Sequence, residues 1–132
     1  MSLQEHAPQG TAGAQQTWYE RFYGALERRD IEAVKAQMTP DTSLRLANRP
    51  PVEGRDAVIE ATLHFWEMIE SMRHSFETVV ESGDLTLLES TVEYVRLDGR
   101  RVALPAATAI VRRDGLVAAQ RVYVDTHPLF AE

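Results

Sequence analysis

Three glycine turns at equal spacing constrain this chain more than any other feature. Gly83 precedes Asp84, Gly99 follows Asp98 and Gly115 follows Asp114, each glycine sixteen residues beyond the last. A Gly-Asp or Asp-Gly pair between β-rich runs is the strongest short-range hairpin signal in a sequence. The runs between them, Leu85–Leu97 and Val102–Val111, favour Val, Leu, Thr and Tyr over strong helix formers. The spacing therefore predicts four long antiparallel strands joined by three tight hairpins between Met72 and Asp125.

Loop length decides which side chains share a face, because one extra residue turns a whole strand over. A two-residue loop at Asp98-Gly99 places odd residues of Leu85–Leu97 with even residues of Val102–Ile110. Glu93 and Val95 then join Leu104 and Ala106. A three-residue turn at Arg113-Asp114-Gly115, with Gly115 left-handed, adds Gln120, Val122 and Val124 to that face. A two-residue turn at Gly83-Asp84 brings His74 and Phe76 into line with Glu93 and Thr91.

Upstream, the pattern is helical. Trp18, Phe22, Ala25 and Leu26 fall at helix spacing with Tyr19 and Tyr23 beside them, so one broad aromatic face must be buried. Asp30 is an N-cap for a short helix through Ile31, Val34 and Met38, which Thr39-Pro40 ends. Ser43–Ala47 reads as a first strand, and the prolines of Asn48-Arg49-Pro50-Pro51 demand a loop. From Gly54-Arg55-Asp56 a third helix carries Val58, Thr62, Phe65 and Ile69 on one stripe and frays near Ser71. Residues 1–14 have no apolar period and read as a flexible lead-in, leaving 15–132 as a single α+β domain. About three amphipathic helices followed by an antiparallel meander make an α+β fold with helices on one sheet face.

Acidic and basic residues are intermixed at a net charge of −6, so no basic stripe points to nucleic acid or an anionic membrane. No apolar run reaches the roughly 20 residues that span a bilayer. No signal peptide is legible at the N-terminus, and the absence of cysteine suits a reducing cytoplasm. No phosphate-binding glycine loop, nucleophile elbow or His-Glu-x-x-His helix occurs, so neither a cofactor nor a metal is expected.

Several stretches carry a resemblance. Trp18-Tyr-Glu-Arg-Phe-Tyr, Asp30-Ile-Glu-Ala-Val and Val52-Glu-Gly-Arg-Asp-Ala-Val are followed by Leu104-Pro105, Arg113-Asp114-Gly115 and Gln120-Arg-Val-Tyr-Val-Asp125. Together they resemble the SnoaL-like branch of the nuclear transport factor 2-like superfamily, and within it limonene-1,2-epoxide hydrolase-like proteins. The resemblance implies a cone-shaped barrel with an apolar pocket at one end, a small apolar ligand and a homodimer formed through the outer sheet face. It also implies an Asp-Arg-Asp set with a water-holding Tyr and Asn. Carried over by position, Asn48 matches that Asn, Leu46 replaces the Tyr, Glu93 falls at one Asp, Thr91 at the bridging Arg and Val122 at the second Asp. Without a paired acid and base the epoxide-opening mechanism is not expected.

The candidate site is accordingly Glu93, His74 and Asn48 for acid–base chemistry, within a pocket of Trp66, Phe76, Thr91, Val95, Leu104, Ala106, Gln120 and Val122. Glu93 inside the cone would have a raised pKa suited to proton transfer. Opposite it, His74 would be oriented by that carboxylate. The plain alternative for Glu93 is an exposed strand carboxylate paired with a neighbour such as Arg101. Three functions stay open: a cofactor-free isomerase, cyclase or hydrolase, a non-catalytic ligand-binding module, and a dimeric accessory protein.

Overall fold

A computed structural model describes residues 4–6 and 16–132. The elements run β1 (Gln4–His6), α1 (Trp18–Arg28), α2 (Ile31–Ala36), β2 (Met38–Leu46), β3 (Val52–Glu53), α3 (Arg55–Glu67), β4 (Ile69–Ser82), β5 (Leu85–Arg96), β6 (Arg101–Arg113), β7 (Leu116–Val124) and α4 (His127–Phe130). They form one mixed seven-stranded sheet in the order β1-β4-β5-β6-β7-β2-β3, antiparallel except where β2 runs parallel to β7. The lead-in expected over residues 1–14 lies outside the described residues apart from Gln4–His6, which pairs with Val79–Glu81 at the sheet edge.

The helices begin where local chemistry satisfies their first N–H groups. The Glu20 N–H donates to the Thr17 hydroxyl at 3.1 Å while the Thr17 N–H donates to the Glu20 carboxylate at 3.0 Å, a reciprocal capping box. Asp30 caps α2 through the Ala33 N–H at 3.2 Å. Between them Arg29 takes the left-handed conformation (φ 59°), and its guanidinium donates to the carbonyls of Ile69 at 2.9 Å and Glu70 at 2.8 Å. That pair of bonds ties the helical corner to the start of β4. Tyr19, Phe22, Tyr23 and Ala25 are buried, so the aromatic face of α1 fills the concave side of the sheet.

Two boundaries differ from the sequence pattern. α2 stops at Ala36 and Met38 already opens β2, because the Gln37 carbonyl accepts from the Val117 N–H at 2.7 Å and Met38 pairs with Val117. Pro40 lies inside that strand, where the pairing to β7 lapses between Met38 and Ser43, so its missing N–H breaks no ladder bond. α3 ends at Glu67, and Ile69, read as the last residue of its stripe, instead begins β4.

The three hairpins form where the glycines stand, with φ of 58° at Gly83, 87° at Gly99 and 80° at Gly115. The first and last are two-residue turns, pairing Ser82 with Leu85 and Arg113 with Leu116. A bulge after Val117 then restores even-with-even pairing, so Ile110 faces Gln120 and Thr108 faces Val122. The side-chain parity expected of β7 is reached through a bulge rather than a third loop residue.

The middle hairpin differs where it matters. The Arg96 N–H donates to the Arg100 carbonyl at 2.8 Å and the Gly99 N–H to the Arg96 carbonyl at 2.9 Å, so Leu97-Asp98-Gly99 is a three-residue loop with glycine in the left-handed position. Even residues of β5 therefore align with even residues of β6, Ser90 with Ala106 and Val92 with Leu104. The odd residues, Glu89, Thr91, Glu93 and Val95 among them, face outward. A further bulge at Glu77 shifts β4 by one residue, pairing Phe76 with Ser90, His74 with Val92 and Arg73 with Glu93.

Candidate functional site

α1 and β4 run alongside one another with matching repeats. Four helix residues rise about 6 Å and two strand residues about 6.6 Å, so side chains at i, i+4, i+8 on α1 meet alternate side chains on β4. Tyr19 packs edge-on to Phe76 with centroids 5.5 Å apart, and Tyr23 packs on Phe76 at 5.0 Å and on the His74 ring at 4.6 Å. The next residue in that line is Glu27. Its Oε2 lies 3.0 Å from His74 Nδ1 and accepts the His74 backbone N–H at 2.6 Å. A carboxylate at Nδ1 favours the tautomer with the proton on Nδ1, leaving Nε2 with a free lone pair. The His74 side chain is only 10% exposed and Glu27 27%.

The His74 ring of this pair stands on the wall of a cavity of about 170 Å³ between α3 and the concave sheet, and Glu27 is not among the lining residues. The walls are mostly apolar: Leu44, Leu46, Phe65, Met72, Val92 and Val122, with Trp66 and Tyr94. A dry apolar cavity near 150 Å³ holds a benzene ring, so the volume suits one carbocycle. Polar groups are few: the hydroxyls of Tyr23, Tyr94, Ser90, Thr108 and Thr62, the last donating to the Val58 carbonyl, the Gln120 amide, His74, and Arg49 at the mouth. Burial pushes the Tyr23 phenol up to about 12, against the opposing effect of the Thr108 hydroxyl, and burial likewise pushes Tyr94 up to about 12. Both phenols are neutral donors at physiological pH. The Trp66 indole N–H is buried with no hydrogen-bond partner in the protein.

His74, Trp66, Ala106, Gln120 and Val122 line the cavity. The remaining candidates do not. Glu93 sits on the outer face, its side chain 52% exposed and ion-paired to Arg101 at 3.0 Å. The pairing of His74 with Glu93 is thus corrected: the third loop residue at Leu97–Gly99 turns Glu93 outward, and His74 takes its carboxylate from α1. Thr91 and Val95 face outward for the same reason, and Thr91 donates to Glu77 at 2.5 Å. Phe76 is part of the α1 core and Leu104 is buried with Ile69, Val92, Tyr94 and Leu129, so neither borders the cavity. Asn48 is exposed in the loop after β2; its neighbours Arg49 and Pro50 border the cavity instead.

Glu27 and Tyr94 escaped the sequence reading, and Tyr23 entered it only as part of the buried aromatic face of α1. A signal for Glu27 existed, since it continues the Tyr19–Tyr23 row at four-residue spacing. A signal against the Glu93 orientation existed too. The odd face of β5 carries Glu89 and Glu93 while the even face carries no charge before Arg96 at the strand end, and burying unpaired carboxylates costs several kcal/mol each, on the order of a domain's net stability.

The SnoaL-like domain matches residues 19–120 of the chain. No curated protein matches it. Among solved structures, a nuclear transport factor 2-like protein of unknown function from Burkholderia pseudomallei is 23% identical with a TM-score of 0.77, covering 85% of this chain and 91% of that one. TerC co-crystallised with polyporic acid is 22% identical at a TM-score of 0.76, covering 85% and 92%. An epoxide hydrolase of the limonene epoxide hydrolase-like type from M. tuberculosis is 18% identical at 0.73, covering 86% and 84%. At such identities the likeness is one of fold: helices packed on a curved mixed sheet.

Proposed function

The chain belongs to the SnoaL-like domain family, and from that premise we propose that it binds a small, mostly apolar molecule in the cavity and moves a proton on it. The observation that carries this reading is the Glu27–His74 pair on the wall of an otherwise apolar pocket. His74 Nε2 takes a proton from carbon beside a carbonyl, the electron pair passes to the carbonyl oxygen, and the same imidazolium returns the proton at a conjugated carbon. Glu27 positions the ring and balances its transient charge. A neutral Tyr23 phenol on the cavity lining is the group able to donate to the developing oxyanion. Such an isomerisation is redox-neutral and needs no second substrate.

The test is deuterium exchange into a panel of cyclic enones in heavy water, followed by NMR. The wild type should accelerate exchange, His74→Gln should abolish the acceleration, and Glu27→Gln should weaken it. Exchange that survives His74→Gln removes the base. Binding without exchange supports the second reading, a ligand-binding module, which the apolar Val122 and the outward Thr91 and Glu93 favour by leaving no second acid in the pocket. Chain pairing through the outer sheet face, where Leu87 is 46% and Tyr123 53% exposed, belongs to the same proposal; a monomer by light scattering at micromolar concentration refutes it.

A further inference from the structure

The cavity lining is lopsided in charge. Among the described residues no carboxylate belongs to it, and the only permanently charged side chain on it is Arg49, which is exposed at the mouth beside Pro50. Arg49 takes part in no ion pair among the described residues. Its loop is stiff. Ala47 holds φ at 53°, a left-handed conformation that alanine adopts only under constraint, and donates its N–H to the Val122 carbonyl at 2.8 Å. The Arg49 N–H closes a turn onto the Leu46 carbonyl at 3.0 Å, and Pro50 and Pro51 restrict the backbone that follows. The lining thus presents hydrogen-bond donors and one cation to a ligand, and no fixed negative charge to attract an amine.

We propose that the ligand is a small carboxylic acid whose apolar body enters the cavity while its carboxylate stays at the mouth on the Arg49 guanidinium, the two joined as a planar fork. This rests on the binding half of the function proposed above and adds the class of molecule bound. The chain's net charge of −6 repels anions at a distance, so a preference for an acid over its neutral counterpart reports a local cation.

The experiment is calorimetric titration with phenylacetate, 3-phenylpropionate and 4-phenylbutyrate against the three matching alcohols. A partly exposed charge pair supports a preference of about fivefold for the best-fitting acid. Arg49→Met, which keeps the apolar stem, should erase that preference and leave alcohol binding unchanged. Arg49→Lys should restore part of it. Equal binding of acid and alcohol to the wild type overturns the carboxylate assignment and leaves the pocket standing. An acid preference that survives Arg49→Met overturns it as well. Failure of every acid and alcohol to bind overturns it together with the pocket reading.

Discussion

Glu27→Ala removes one oxygen that serves two donors, and the cost can be worked from the geometry. Oε2 accepts the His74 backbone N–H at 2.6 Å and faces the ring Nδ1 at 3.0 Å. A hydrogen bond to a charged acceptor contributes about 1.5–3 kcal/mol, which sets an upper limit near 6 kcal/mol for both. Two features reduce it. The Glu27 side chain is 27% exposed, and among the described residues β1 pairs with β4 only at Val79–Glu81, so His74 lies outside that pairing. A loss of about 2 kcal/mol is the expected result, lowering the melting temperature by about 6–8 °C for a domain of this size. Glu27→Gln keeps one acceptor and should lose about half as much. Urea unfolding at constant m measures the stability, and nitrogen NMR of the imidazole reports the tautomer, which should shift from the pure Nδ1–H form to a mixture in Glu27→Ala. If Glu27→Ala stays within about 0.5 kcal/mol of wild type and the ring spectrum is unchanged, the pair is not formed in solution and the positioning argument falls.

Burial raises the folded pKa of Tyr23 and Tyr94 to about 12 from an ordinary 10. Their contribution is therefore complete below pH 10 and is lost as the pH rises through 12, on the order of 2–3 kcal/mol per phenol, with the early part of the loss smaller in Tyr23→Phe and Tyr94→Phe when stability is followed by denaturant titration. Glu93→Gln should change neither stability by more than about 0.5 kcal/mol nor ligand binding, because its partner Arg101 is 69% exposed; a large loss of binding would return Glu93 to the site. Leu129, 1% exposed, anchors the C-terminal turn against Ile69, Val92 and Tyr94. Leu129→Ala should cost about 2–4 kcal/mol by urea unfolding, and a smaller loss would mean the turn is not docked in solution.

Local rules carried the scaffold. A glycine at each of three turns specifies a left-handed residue whatever surrounds it, and Thr17 and Asp30 cap helices through bonds spanning three residues. Such features involve neighbours in the chain, so they are legible in it, as are the inward Ala106, Gln120 and Val122 of a strand pair whose parity came out as its alternation suggested. The site was decided elsewhere. Asp98-Gly99 is compatible with a loop of two residues or three, and the choice belongs to whichever face of β5 can be buried, a property of Glu89 and Glu93 together rather than of the turn. The bulge at Glu77 then points His74 inward, and packing α1 against β4 brings in Glu27 from 47 residues away. One residue of loop length separates a buried acid from a surface charge. That residue is selected by the free energy of desolvating carboxylates, which exists only once the sheet has folded around its helices.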